Sequence, residues 1–264
     1  MANDVPGRPD QGRRPTKAER KEEARREREE LQQRQASRRR ARRVGVVVGA
    51  VVVAAAIFGV TLLPSADDDL PSSDDLLARA AAAADAAGCG EVTTTPPFDP
   101  PDQDQRHIDV NAGPPLSAYP TTPPASGPHA DIPPGPLPAG VYELLTIQDL
   151  YRAIHSLEHG ATIVWYDPTA PPARVARLID FYDRRLQDAQ VGQDRVIVAP
   201  YDFPGDPAGV LPEGTDMALV AWHRLQTCAS VDLAVAFDFT SQFSFPTTAG
   251  RDYAGDAPEP GASL

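Results

Sequence analysis

The sequence predicts an α+β domain in which a small mixed or antiparallel sheet packs with helices. A Pro-rich irregular segment and a single N-terminal transmembrane helix are predicted to precede this domain. Three observations support the prediction: a charge-free apolar run near the N-terminus, prolines crowded into residues 96–140, and β-branched runs that alternate with helical periodicity beyond residue 160. The predicted order is strand–helix–strand–strand–helix, which favours a compact α+β fold.

Charge is distributed unevenly along the 264 residues. Residues 1–43 hold 15 Lys and Arg against 8 Asp and Glu, a balance of +7, which leaves −19 for the remainder because the net charge is −12. The head is predicted to be a cytoplasmic region of basic disordered chain and charged helix. Nucleic acid is not an expected partner of the acidic folded part, because such partners bind basic patches.

The apolar run is Val44–Leu63, 20 residues without a charge, which is long enough to span a bilayer. Five arginines among residues 38–43 precede it and three aspartates follow it, so the positive-inside rule puts the N-terminus in the cytoplasm. This predicts a single-pass protein of the cell membrane with an extracytoplasmic C-terminal domain. A cleaved signal peptide is the alternative, and Pro64-Ser65-Ala66 is a poor cleavage site for one.

Residues 64–87 are predicted to be a membrane-proximal linker and helix, and residues 88–264 the extracytoplasmic domain. Ser73, two acidic residues and an alanine-rich run favour the helix, and Gly88 ends it. Five further elements are predicted: strands at Thr162–Tyr166, Arg195–Ala199 and Met217–Gln226, and helices at Pro171–Asp188 and Val231–Phe243.

Cys89 and Cys228 are the two cysteines of the chain. In an oxidising extracytoplasmic environment two cysteines most simply form a disulfide bond. The alternative is a pair of free thiols that ligate a metal, but the chain has no C-x-x-C motif.

The densest group of coordinating side chains is His155-Ser156-Leu157-Glu158-His159-Gly160. Residues four apart share a helix face, so His155 and His159 are candidate ligands of a transition metal, with Glu158 as a ligand or base. The letters H-x-x-E-H also match a metalloprotease pattern. Gly160 limits any helix here to about two turns, which disfavours that enzyme. Alternatively, the histidines have a structural role and fix a helix-to-strand corner by hydrogen bonds.

The Pro-rich stretch is predicted to run as a polyproline-like coil over the surface of the domain. It would hold His129 in a fixed place as a third ligand from a loop. His107, in a possible short strand His107–Val110, is a possible fourth ligand. Imidazole and carboxylate ligands suit zinc or copper.

Three ordered blocks of the chain resemble the signature of the DUF3105 family: Pro123–His129, Gly140-Val141-Tyr142 and His155–Gly160. Ala221-Trp222 and Ala257-Pro258-Glu259 resemble later elements of the same pattern, although the family has a small residue where His223 stands. The resemblance covers about Gly88 to Pro260. It implies a bacterial domain that often follows one membrane segment, and it supplies no activity.

Two functions follow from these observations, and neither specifies a reaction. The first is a metal-binding ectodomain whose ligands are His129, His155, Glu158 and His159, with His107 as a possible addition. The second is a non-catalytic protein that binds an envelope protein or a cell-wall component, with structural histidines.

Overall fold

The computed structural model describes residues 70–187, 195–247 and 249–264. The predicted charged region 1–43, the predicted transmembrane helix 44–63 and the first part of the linker lie outside the described residues. None of the helices in the described part is long and apolar enough to cross a bilayer.

Eight strands form two sheets within the described residues. In chain order the strands are β1 Thr93–Thr94, β2 His107–Ile108, β3 His129–Ala130, β4 Gly140–Val141, β5 Thr162–Tyr166, β6 Val196–Pro200, β7 Met217–Ala221 and β8 Arg224–Cys228. The larger sheet has the order β1-β8-β7-β5-β6-β4, and β2 pairs with β3 in the smaller one. The pairs β4–β6 and β5–β6 are parallel, whereas β5–β7, β7–β8 and β1–β8 are antiparallel. The predicted α+β class with a mixed sheet is therefore confirmed.

Helices cover both faces of the larger sheet. They are α1 Ser73–Ala86, α2 Ile147–Glu158, α3 Pro172–Gln187 and α4 Leu233–Phe243. Side chains of α2 and of the Pro-rich segment pack in one core with Ile163 and Trp165 of β5. Side chains of α1, α3 and α4 pack in a second core with Val164 and Tyr166 of the same strand. Successive strand residues point to opposite faces of the sheet, and each face is covered by one of these cores. Every residue of β5 is therefore buried.

The predicted strand Met217–Gln226 is a hairpin, so that prediction is wrong in its connectivity. β7 and β8 pair antiparallel, and Trp222 and His223 form the two-residue turn between them. His223 has a φ of +56°, the left-handed conformation that a type II turn requires at its second central residue. The turn contains neither glycine nor asparagine, so the sequence carries none of the usual turn residues at this point.

The helix predicted as a linker belongs to the domain. Leu76 is fully buried and Ala80 nearly so, and Leu76 packs in the core that contains the side chains of α4. The compact unit accordingly runs from Leu70 to Leu264 rather than starting at Gly88.

The helix that carries the histidine cluster is longer than the predicted two turns. It has 12 residues and begins with a capping box. The side chain of Thr146 accepts a hydrogen bond from the amide of Asp149, and the side chain of Asp149 accepts one from the amide of Thr146. Leu150, Ile154 and Leu157 recur at helical spacing and are buried. This capping box and this periodicity were the sequence signals for the longer helix.

The Pro-rich segment is not a surface coil where it approaches the cluster, because residues 123–130 are all buried. Gly127 has a φ of +118°, and a Cβ atom there would lie 2.7 Å from the ring of Tyr119. Only glycine fits this crowded left-handed position. The segment does hold His129 in a fixed place, as predicted.

Cys89 and Cys228 form a disulfide bond across 139 residues of sequence. The predicted pairing is confirmed, and it leaves neither thiol available as a metal ligand. The bond ties Cys89, the third residue after α1, to the end of β8.

Candidate metal centre

Four side chains from three elements converge on one point. The ligand atoms of these four residues all lie within 4.8 Å of one another. They are His107 of β2, His129 of β3, and His155 and Glu158 of α2.

Backbone pairing explains why these side chains meet. β2 and β3 run parallel, with His107 directly opposite His129. Residues three apart share a helix face, so His155 and Glu158 both face this ribbon from the last turn of α2. The ribbon and the helix therefore contribute two residues each.

The three imidazole rings form a nearly equilateral triangle. Ring centroids lie 4.8 Å apart for His107–His129, 4.8 Å for His107–His155 and 5.0 Å for His129–His155. His129 is fully buried, whereas the side chain of His107 is 42% exposed and gives the cluster its contact with solvent.

Backbone carbonyls fix the orientation of three histidines. A carbonyl oxygen only accepts hydrogen bonds, so the Nδ1 atoms of His129, His155 and His159 must carry the proton. In the neutral ring each Nε2 atom is then an unprotonated acceptor. The carbonyls belong to Gly127 at 2.8 Å, Ala130 at 2.6 Å and Ser263 at 2.7 Å.

These Nε2 atoms face other acceptors. His129 Nε2 lies 2.9 Å from Glu158 Oε2, and His107 Nε2 lies 3.4 Å from the same oxygen. His155 Nε2 lies 3.2 Å from His159 Nε2. Close pairs of lone pairs are unfavourable in a buried site, so each contact requires either a proton or a cation between the atoms.

The electrostatics favour a neutral His155 and an ionised Glu158. Burial, followed by the nearby His129 and His159, lowers the pKa of His155 to about 4. Burial would raise the pKa of Glu158, but the contact with His129 and the surrounding imidazoles outweigh it and lower that pKa. At neutral pH the cluster thus combines an uncharged ligand nitrogen with a carboxylate.

His159, predicted as a ligand, lies outside this group of four. It follows the last residue of α2, and its Nε2 atom stands between His155 and Glu259, whose Oε2 atom is 3.6 Å away. The C-terminal tail supports this arrangement, because Glu259 donates its amide to the carbonyl of Glu158. Arg195 bonds the carbonyls of both His159 and Ala262. The contribution of the tail was not predicted from the sequence.

A second polar pair stabilises the loop that carries His129. Asp104 is buried and accepts hydrogen bonds from His223 Nε2, from Ser126 Oγ and from the Phe98 amide. The carbonyl of Asp104 also accepts from the amide of Gly127. Neither Asp104 nor His223 was predicted as a functional residue, because 119 residues separate the partners.

The replacement His223→Gln is expected to remove a pH-dependent contribution to stability. Its hydrogen bond to Asp104 raises the pKa of His223, against the opposing effect of burial. Because the pKa of this imidazole is higher in the folded state, its full stabilising contribution is present at pH values below the ordinary pKa of 6.5. The contribution is lost as pH rises through the folded-state pKa. The wild-type protein should therefore lose its advantage over the variant at alkaline pH.

Urea unfolding of both proteins from about pH 5 to 9 measures this difference. A difference in unfolding free energy that stays constant over that range would contradict the expectation. Asp104→Asn serves as a second variant and is measured over a more acidic range, from about pH 2 to 5. Burial opposes the shift, but the hydrogen bond from His223 outweighs it and lowers the pKa of Asp104, so the contribution of this carboxylate is lost as pH falls through its folded-state value.

Fold and cluster together define an α+β domain with a buried His/Glu group suited to hold a metal. The chain matches the family described as "Protein of unknown function (DUF3105)" over residues 116–254 and belongs to that family. The resemblance seen in the sequence is thereby confirmed over a shorter range, which excludes His107 and the C-terminal tail. The chain has no match among curated proteins or solved structures.

Proposed function

We propose that the domain binds one transition metal ion, with zinc and copper(II) as the favoured ions. The ligands would be His107, His129, His155 and Glu158. The observation that carries this proposal is the orientation of the imidazoles. The Nδ1–H groups of His129 and His155 donate hydrogen bonds to backbone carbonyls. The Nε2 atoms of these rings therefore carry lone pairs, which point at other acceptors. A metal ion would satisfy those lone pairs together.

The spacing of the rings supports the same proposal. Metal–imidazole bonds of about 2.0–2.1 Å in tetrahedral geometry put the centroids of three rings about 5 Å apart. The observed separations are 4.8–5.0 Å. Carbonyl acceptors on the second ring nitrogen are the usual means by which proteins orient metal-binding histidines. Imidazole and carboxylate together suit zinc and copper better than magnesium or calcium.

We further propose that this metal-binding domain lies outside the cytoplasm, attached to the cell membrane by residues 44–63. Support comes from the 20 uncharged residues and the arginines before them. The disulfide bond adds support, because such bonds persist mainly in oxidising compartments. On this basis envelope proteins or cell-wall components are the available partners.

The test is the metal content of the purified full-length chain in nonionic detergent, measured by elemental mass spectrometry after exposure to zinc or copper. About one ion per chain is expected in the wild type, and His129→Ala and His155→Ala should each reduce it to background. Glu213→Gln is the control, because it changes an exposed residue that belongs neither to the group of four nor to the loop that carries His129.

Absence of metal from the wild type would overturn the proposal. If His155→Ala then lowers only the melting temperature, the histidines are structural. That outcome would favour the second hypothesis, a non-catalytic envelope protein that acts by binding a partner.

A further inference from the structure

A cavity of about 340 Å³ lies on the side of the sheet opposite α2. It is lined by residues of α1, of the first half of α3 and of the start of α4. Its charged lining residues are Arg79, Arg174, Arg177 and Asp232. Three guanidinium groups against one carboxylate make the cavity basic.

The arginines of this cavity differ from those elsewhere in the domain. Residues 44–264 hold ten arginines, all within the described ranges. Seven outside the cavity contact a carboxylate, carbonyl, amide or aromatic ring of the chain. Within the described residues Arg79 and Arg177 have no such partner. The two unpartnered guanidinium groups of an acidic domain thus line the same cavity.

Neighbouring groups complete a site for an anion that carries a hydroxyl group. Arg174 is held by a hydrogen bond from its Nη1 atom to the carbonyl of Val231, at 3.1 Å. The 11-residue helix α4 begins at the cavity and directs its positive end there. Asp232 caps that helix through Oδ1, and among the described residues its Oδ2 atom has no partner. Oδ2 is therefore free to accept a hydrogen bond.

We infer that this cavity binds the phosphate ester of a small polyol. The guanidinium groups of Arg79 and Arg177 would donate to the phosphate oxygens, because planar guanidinium forks match that geometry. Asp232 Oδ2 accepts from a hydroxyl group of the alcohol. Cavities of a few hundred Å³ are the size of small-ligand sites.

Such an ester has two sources, a phospholipid headgroup or a soluble polyol phosphate. Nine residues separate Leu63 from Ser73, and at full extension they span about 30 Å. Under the membrane attachment proposed above, headgroups are thus within reach of the chain that leads into α1.

Equilibrium dialysis of the full-length chain in nonionic detergent with radiolabelled glycerol 1-phosphate tests the inference. Saturable binding is expected, and Arg79→Gln/Arg177→Gln should weaken it at least about tenfold. Arg106→Gln/Arg184→Gln is the matched control, because it removes the same charge from exposed sites outside the cavity. The single variants Arg177→Gln and Arg184→Gln repeat the comparison on one helix, so that a folding defect in a double variant does not decide the result.

No saturable binding to the wild type, or an equal loss in both double variants, would overturn the inference. The two sources are separated by repeating the dialysis with the chain in nanodiscs. Competition by phosphatidylglycerol nanodiscs but not by phosphatidylcholine nanodiscs supports a lipid headgroup. Equal binding in both supports a soluble ester. Metal content is independent of these outcomes, so failure of the metal proposal is distinguishable from failure here.

Discussion

Replacement of Glu158 by glutamine is expected to weaken zinc binding by more than about 100-fold, because loss of even an outer partner of a metal ligand costs 10–100-fold. The Glu158 side chain is 4% exposed, and its Oε2 atom faces the Nε2 atoms of both His129 and His107. A neutral amide offers the metal neither the charge nor the basicity of a carboxylate.

The same replacement is expected to preserve the metal-free fold. Glutamine has nearly the shape of glutamate, and its amide group donates a hydrogen bond to the Nε2 lone pair of His129. The buried acceptor pair at 2.9 Å thereby becomes a donor–acceptor pair. Loss of metal without loss of stability would separate a ligand role for Glu158 from a structural one.

Competition with a chromophoric chelator measures the zinc affinity, and urea unfolding in the presence of a chelator measures the metal-free stability. Glu213→Gln, at an exposed position far along the sequence, is the control for the charge change. Zinc affinity of Glu158→Gln within a few-fold of the wild type would contradict the assignment of this carboxylate as a ligand. Glu259→Gln should have a smaller effect, because the side chain of Glu259 contacts His159 rather than a side chain of the group of four.

Removal of the disulfide bond by Cys89→Ala/Cys228→Ala is expected to lower the free energy of unfolding by about 2–5 kcal/mol. The bond closes a separation of 139 residues, so its loss frees much conformational entropy in the unfolded chain. Cys228 is buried at the end of β8, where its backbone also bridges to Cys89. The variant therefore loosens the contact between the start of the domain and the sheet edge.

Urea unfolding of the oxidised wild type, the reduced wild type and the double variant checks this expectation. The reduced wild type and the double variant should have similar free energies of unfolding, because both lack the cross-link. A variant as stable as the oxidised wild type would show that the backbone pairing alone holds this edge. Metal content should be nearly unchanged in the variant, since the disulfide and the metal centre lie in different parts of the domain.

The sequence by itself determined the elements whose signals are local. The predicted bounds of β5 are the observed ones, because the short run of β-branched and aromatic residues after Gly160 is typical of a strand. Periodic apolar residues predicted α3 and α4 to within two residues of their described bounds. The disulfide bond was predicted because the chain has only two cysteines. His155 and Glu158 were predicted as ligands from their spacing on a helix.

Only the tertiary structure decided which distant residues meet. Parallel pairing of β2 with β3 places His107 opposite His129, and 29 residues separate His129 from its partner Glu158. The Asp104–His223 pair likewise joins the Pro-rich segment to a hairpin turn. β2 and β3 have only two residues each, so they carry no alternating hydrophobic pattern from which this register could be predicted. Local sequence signals thus predicted the helix that carries His155 and Glu158. Non-local backbone pairing then brought His107 and His129 next to it.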